Sequence, residues 1–298
     1  MSYAGEFAAL GTALCFASAS NLFASAAGRM GSLTLNRLRI TAAWVFLSMT
    51  MVLAHHALWP TWASAPATLA LALSGMIGFI FGDTFQFRSL VILGPGRASL
   101  LAATAPLFTT ALAWLLLHQV PKPLAFVGMA LTISGTAFAF TAPSRPRPDH
   151  AEGGIGMGIA SGLLGAIGQA GGYVLSKAAL RTGLDPLSGT VIRVGCACVT
   201  LWIMTGVARQ IGPTLAALRD ARSTLFMLVG ALLGPCLGVL LSLTSLHLIE
   251  AGVAASITAV SPLFAMLIAA RFHNERLTWR ALVGSALAVL GIVVLFRR

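Results

Sequence analysis

Ten stretches of about twenty apolar residues, each bounded by turn residues, constrain this chain more than any other feature. They run over roughly 5–27, 33–56, 66–91, 96–117 and 121–142, then 154–180, 186–208, 222–247, 251–272 and 277–296. A helix of that length crosses the hydrocarbon core of a bilayer, which is about 30 Å thick. Helices and closed barrels are the structures that satisfy every backbone group there. The breaks hold Gly28 and Gly31, Pro60, Gly94-Pro95-Gly96, Pro121 and Pro123, Asp185-Pro186 and Gly212-Pro213, residues that punctuate helices. Composition agrees: 9% of the 298 residues are charged and 57% are hydrophobic, against about 25% charged in a soluble domain. The fold class predicted is an all-α integral membrane protein of ten transmembrane helices.

A shift of 156 positions lays the second half on the first. Gly78 and Gly82 fall on Gly234 and Gly238, Ser89-Leu90 on Ser245-Leu246, and Gly96 and Ala98 on Gly252 and Ala254. Pro106-Leu107-Phe108 falls on Pro262-Leu263-Phe264, Val127-Gly128 on Val283-Gly284, Gly135 on Gly291 and Arg37 on Arg193. Each half holds five spans. Two homologous units with an odd number of spans sit inverted in the membrane, an architecture of secondary transporters with the binding site between the repeats. The expected organisation is a first five-helix repeat over 1–142, a polar linker over 143–153, and a second repeat over 154–298.

The net charge of +11 is spread singly between apolar runs, so it predicts headgroup anchoring and not a nucleic-acid partner. Cys15, Cys196, Cys198 and Cys236 fall in apolar segments and read as packing residues. The first apolar run has no basic stretch before it, so a cleaved signal is not expected. His55-His56 and His247 have no partners at ligand spacing, and no metal or cofactor is expected. GxSxG, HExxH and Walker motifs are absent from the sequence. An intramembrane enzyme is therefore the remote alternative.

The paired segments Gly96–Phe140 and Gly252–Phe296 carry a family resemblance. The second has Ala254-Ala255-Ser256, Pro262-Leu263-Phe264 and Asn274-Glu275-Arg276-Leu277, followed by Gly284 and Gly291; the first has Gln119 where the second has Glu275. With these patterns the chain resembles the drug/metabolite transporter superfamily, specifically the EamA-type ten-helix exporters. The resemblance implies export of a small metabolite, with amino acids, aromatic ones included, in first place. A passive facilitator, or an exporter of a drug, sugar or nucleotide derivative, is the alternative. It also implies an inner-membrane location, cytoplasmic termini and a functional monomer. The basic residues oppose that orientation: Arg29, Arg145, Arg147, Arg209, Arg219 and Arg222 would then lie outside, against Lys122, Lys177 and Arg181 inside.

Candidate substrate-binding residues follow from polarity inside spans. Asp83 is the one acidic residue well inside a run, where a charge costs several kcal/mol, roughly. It reads as a proton site, a counter-charge for substrate, or an ion pair with Arg37, Arg39 or Arg88. Arg37 and Arg193 can each clamp a carboxylate or snorkel to headgroups. Ser18, Asn21 and Ser25 share one helical face, and Ser161, Gln169, Tyr173 and Ser176 broadly share another. Both faces are expected to line a cavity or bond neighbouring helices. The Phe79 and Phe81 region would pack on the substrate side chain. Gly78, Gly82, Gly234 and Gly238 read as close-packing or hinge positions, and Pro106 and Pro262 as mid-span kinks. The expected mechanism is alternating access around spans one, three, six and eight, with protons as the candidate coupling ion. The expected partners are the small-molecule substrate and the lipid bilayer.

Overall fold

The computed structural model describes residues 3–93, 98, 101–102, 104–139, 154–261, 263–265, 267–268 and 279–296. Those residues are helical throughout, apart from short connections. Pro262, Gly96, the 143–153 linker and the Asn274–Leu277 motif lie outside them.

The first half contains α1 (Ala4–Met30), α2 (Ser32–His55), α3 (Ala65–Gly75), a π-helical segment π1 (Met76–Gly82), α4 (Asp83–Leu93), α5 (Ala105–Leu117) and α6 (Pro123–Ala139). The second contains α7 (Ile155–Leu180), α8 (Pro186–Val207), a short α9 (Ile211–Ala216), α10 (Ala221–Ala231), π2 (Leu232–Gly238), α11 (Val239–Leu248), α12 (Ala251–Thr258) and α13 (Trp279–Phe296). Among the described residues, six helical runs are long and apolar enough to cross a bilayer, and four further apolar helices are shorter. Local chemistry sets the boundaries. Asp185 accepts a hydrogen bond from the Ser188 amide at 2.9 Å and Pro186 opens α8, the residue types that favour a helix start. Ser64 and Pro66 do the same for α3. His56 ends α2 in the left-handed conformation.

Two features differ from the sequence reading. The third and eighth spans are not uniform α-helices. Each passes through seven π-helical residues, and the two segments, Met76–Gly82 and Leu232–Gly238, stand 156 positions apart. Pro235 gives π2 a local reason, because a proline cannot supply the amide that an α-turn needs. Phe79 occupies the equivalent place in π1, which adopts the same geometry without a proline. Pro106 does not kink a helix interior. Thr104 is a turn and Pro106 stands in the first turn of α5, where a missing amide costs nothing.

The packing pairs respect the same shift. α7 lies along α3, π1 and α4, while α1 lies along α10, π2 and α11. α2 packs on α8, α5 on α12 and α6 on α13. In the last pair, a Cβ at Gly135 would collide with the Ala288 backbone and the Gly284 carbonyl. One at Gly291 would meet the Thr132 backbone and the Gly128 carbonyl. These contacts exchange under the shift, and each needs glycine for its close approach. Large apolar side chains such as Leu53, Trp114, Leu115 and Val207 are exposed on the outside, the surface a bilayer covers.

Candidate functional site

A polar cluster sits where α2, π1, α4, α7 and α8 meet, in an otherwise apolar interior. Asp83, the first residue of α4, accepts a hydrogen bond at Oδ2 from Arg39 Nη2 at 2.7 Å and at Oδ1 from Gln169 Nε2 at 3.0 Å. The Arg39 and Asp83 side chains are 13% and 15% exposed. Arg39 is further held by Nε, which donates to Asn36 Oδ1 at 2.8 Å, and by the Phe23 ring 5.1 Å from its guanidinium. Gln169 also reaches the Gly78 carbonyl at 3.4 Å. A carboxylate in a low-dielectric interior needs such partners.

Arg193 lies beside this pair and is 2% exposed. Its Nη1 donates to Ser176 Oγ at 3.2 Å. Ser176 and Ser74 Oγ are 2.6 Å apart and both reach the Gly172 carbonyl at 2.8 Å. The guanidinium lies 4.9 Å from the Phe79 ring and 5.9 Å from the Tyr173 ring. Nε of Arg193 is buried without a partner. Asp83 is within electrostatic reach, but among the described residues no carboxylate comes within 4.0 Å of Arg193. Glycines make room for it: a Cβ at Gly78 would stand 2.8 Å from Nη2, and one at Gly172 would stand 3.0 Å away.

Five candidates from the sequence thus converge: Phe79, Asp83, Gln169, Tyr173 and Arg193. Others go elsewhere. Arg37 donates to Gln210 Oε1 and Thr214 Oγ1, each at 3.0 Å, tying α2 to α9. Arg39 is the residue in the cluster. It is the eighth residue of α2 as Arg193 is the eighth of α8, a helix-based count that the uniform shift of 156 obscures. Asn21 Nδ2 bonds the Ala17 carbonyl at 3.0 Å and the Ala265 carbonyl at 3.3 Å. Ser18 and Ser25 bond back to their own helix at Leu14 and Asn21. Phe81 is 40% exposed and packs on Phe85. Gly82 packs on the backbone of Gly168 and Gln169, Gly234 on Ala19 and Phe23, and Gly238 on Phe16.

Lys177, read from sequence as a loop residue, is buried instead. Its Nζ donates to the carbonyls of Leu246, His247 and Ile249 at the end of α11. Arg181, one turn on, donates to the Leu117 carbonyl at the end of α5 at 2.9 Å. Cations suit these helix C-termini, where carbonyls lack partners.

Comparison with known proteins matches this architecture. A solved crystal structure superposes with a TM-score of 0.71 at 16% identity, covering 99% of this chain and 96% of that one; this shows a shared fold. An uncharacterized transporter of Synechocystis sp. is 28% identical over 220 residues, 70% of this chain and 61% of the relative. A protein of Streptantibioticus cattleyicolor named "probable terminal-alkyne amino-acid exporter" is 35% identical over 120 residues, 39% of this chain and 38% of the relative. The matches therefore span less than two thirds of either relative. The model of the EamA-like transporter family matches twice, over residues 3–141 and 156–297. Matched along nearly its whole length, in two consecutive copies, this chain belongs to the EamA-like transporter family, whose members are multi-pass membrane transporters.

Proposed function

We propose that the protein is a secondary carrier that exports small metabolites, amino acids (aromatic and other hydrophobic ones included) in first place, across the inner membrane, by alternating access of two inverted five-helix repeats with ten spans in all. The observation that carries this reading is the shared polar cluster. Residues 1–142 supply Arg39, Phe79 and Asp83, and the second half supplies Gln169, Tyr173, Ser176 and Arg193. A buried charged site built from both halves is where rocking repeats would open it to each side in turn. The matching π segments and the exchange-related helix pairs support the repeat organisation. The named exporter among the relatives supports the amino-acid class. Both termini are on the cytoplasmic side in this proposal. A single chain already holds both halves, so the working unit is a monomer.

The test is uptake into proteoliposomes with a labelled amino-acid panel, with and without a proton gradient. Saturable uptake above empty liposomes is expected. No uptake of any amino acid by folded protein would remove the amino-acid reading and leave sugars, nucleotides and drugs. Asp83→Asn reports on coupling: unchanged dependence on the gradient in that variant would take Asp83 out of proton movement.

A further inference from the structure

The carboxylates among the described residues are few enough to place one by one. The chain has eight acidic residues. Glu6 is in the first turn of α1, Asp185, Asp220 and Glu250 occupy N-cap positions of α8, α10 and α12, and Asp149, Glu152 and Glu275 lie outside the described residues. Among the described residues Asp83 is the acid that meets the central arginines, and it has two of them to serve. Its carboxylate is committed to Arg39 and Gln169. Arg193 keeps a full charge, five N–H donors, one hydrogen bond to a hydroxyl, and an Nε with no partner. A buried cation without a counter-ion is costly, and a buried unsatisfied donor signals a missing partner. The two ring faces beside it, Phe79 and Tyr173, cannot neutralise it but can cover an apolar body.

We propose that Arg193 receives the carboxylate of the transported solute, that the Phe79 and Tyr173 rings cover its apolar part, and that Asp83 is a tethered internal anion competing with that carboxylate for the two arginines. The substrate class is a small monocarboxylate with an apolar body. An amino group is tolerated by this site and is not what selects the ligand. The inference rests on the reading of this cluster as the transport site, and it refines the chemistry recognised there. Competition has a use: a carrier must release its substrate, and a resident carboxylate that takes back the guanidinium offers the leaving step without a coupling ion.

The experiment is isothermal titration of the full-length protein in detergent with four ligands of one apolar body: leucine, leucinamide, 3-methylbutylamine and 4-methylpentanoate. Leucine and 4-methylpentanoate are expected to bind, and the amide and amine are not. Arg193→Gln should weaken carboxylate binding by about a hundredfold. Asp83→Asn should tighten it by about tenfold, an outcome that loss of a merely structural ion pair would not produce. Should Asp83→Asn not fold, the double variant Arg39→Met with Asp83→Leu removes the competing carboxylate together with its own partner and should still tighten binding by about threefold. Binding of 4-methylpentanoate without leucine would uphold the anion site while overturning the amino-acid reading. Binding of the amine or amide with both carboxylates silent would overturn the proposal. So would unchanged or weaker carboxylate binding in Asp83→Asn, or in the double variant where the single one does not fold. Tight chloride binding with no response to any carboxylate would make Arg193 a halide site and would also overturn it.

Discussion

The two π segments occupy equivalent places in the halves but have opposite surroundings. Around π1 the neighbours are backbone and charge. Gly75 abuts the Arg193 carbonyl, Gly78 abuts the Arg193 guanidinium, and Gly82 lies against Gly168 with no side chain between them. Around π2 the neighbours are aromatic. Gly230 and Gly234 face Phe23, and Gly238 faces Phe16. The position of Asp83 is taken by Val239, which is buried, and that of Gly75 by Ala231. The first segment carries a buried polar cluster, and the second carries the same backbone geometry as apolar packing. The geometry of a repeat is thus preserved independently of the chemistry placed on it.

The sharpest way to break this comparison is to make the first half as apolar as the second. Asp83→Leu alone leaves Arg39 buried beside no carboxylate and should destabilise the protein by about 3–5 kcal/mol. The double variant Arg39→Met with Asp83→Leu should recover most of that loss, because an apolar pair of similar volume replaces two desolvated charges. Apparent Tm in detergent, read for both singles and the double, checks this. A double variant no more stable than the worse single would mean that the cluster holds the fold through more than the pair.

Backbone approach comes next in size. Gly75→Ala drives a methyl into the Arg193 carbonyl, and a backbone atom cannot rotate away. Separation of α3 from α8 should cost about 2–3 kcal/mol, the upper part of the usual overpacking range. Ala231→Gly, the reverse change at the equivalent place, should cost only about 1 kcal/mol through backbone entropy. Equal shifts in Tm for the two would erase the asymmetry claimed for π1.

The longest helices were legible because long apolar runs separated by Gly and Pro leave little choice. α1, α2, α7 and α8 begin and end within a few residues of their expected bounds. The π segments were not legible. Nothing in Met76–Gly82 departs from an ordinary apolar helix in composition, and only Pro235 marks the copy. Within the site, Asp83, Gln169 and Arg193 stood out as polar residues in apolar runs. Arg39 did not stand above Arg37, because two arginines at i and i+2 in α2 differ only in the face they take. Packing against α9 or against α4 decides that face, and no local pattern records it. Lys177 was misplaced for a related reason: a lysine in the last turn of a helix reads as a surface anchor until another helix end is seen to cover it.

In the second half a glycine-to-alanine change should be milder than its counterpart. At Gly234 an added Cβ would stand 3.0 Å from the Ala19 Cβ and 3.4 Å from the Phe23 ring. Both are side-chain atoms on α1, so a shift of a few tenths of an ångström accommodates it, at about 1 kcal/mol. Gly78→Ala presses instead on the Arg193 guanidinium. It should therefore lower carboxylate affinity more than it lowers Tm, while Gly234→Ala lowers Tm slightly and leaves affinity unchanged. Titration and melting of the two proteins side by side separate the outcomes.

The smallest effect is expected at the rim, where charge meets solvent or headgroups. Arg29 Nη1 lies 3.5 Å from Asp220 Oδ2, with side chains 59% and 36% exposed. Asp220 accepts from the Ser223 hydroxyl at 2.7 Å, which is the first cause that holds its carboxyl below the usual range, ahead of Arg29. An exposed pair gains little Coulomb energy, loses side-chain entropy and is screened by salt. Arg29→Gln should therefore leave Tm unchanged at both low and high salt, although it removes an ion pair as plainly drawn as Arg39–Asp83. A clear drop in Tm at low salt that vanishes at high salt would show that rim charges carry weight here. It would weaken the contrast on which the central cluster stands, because burial, and not ion pairing itself, is what makes Arg39, Asp83 and Arg193 different.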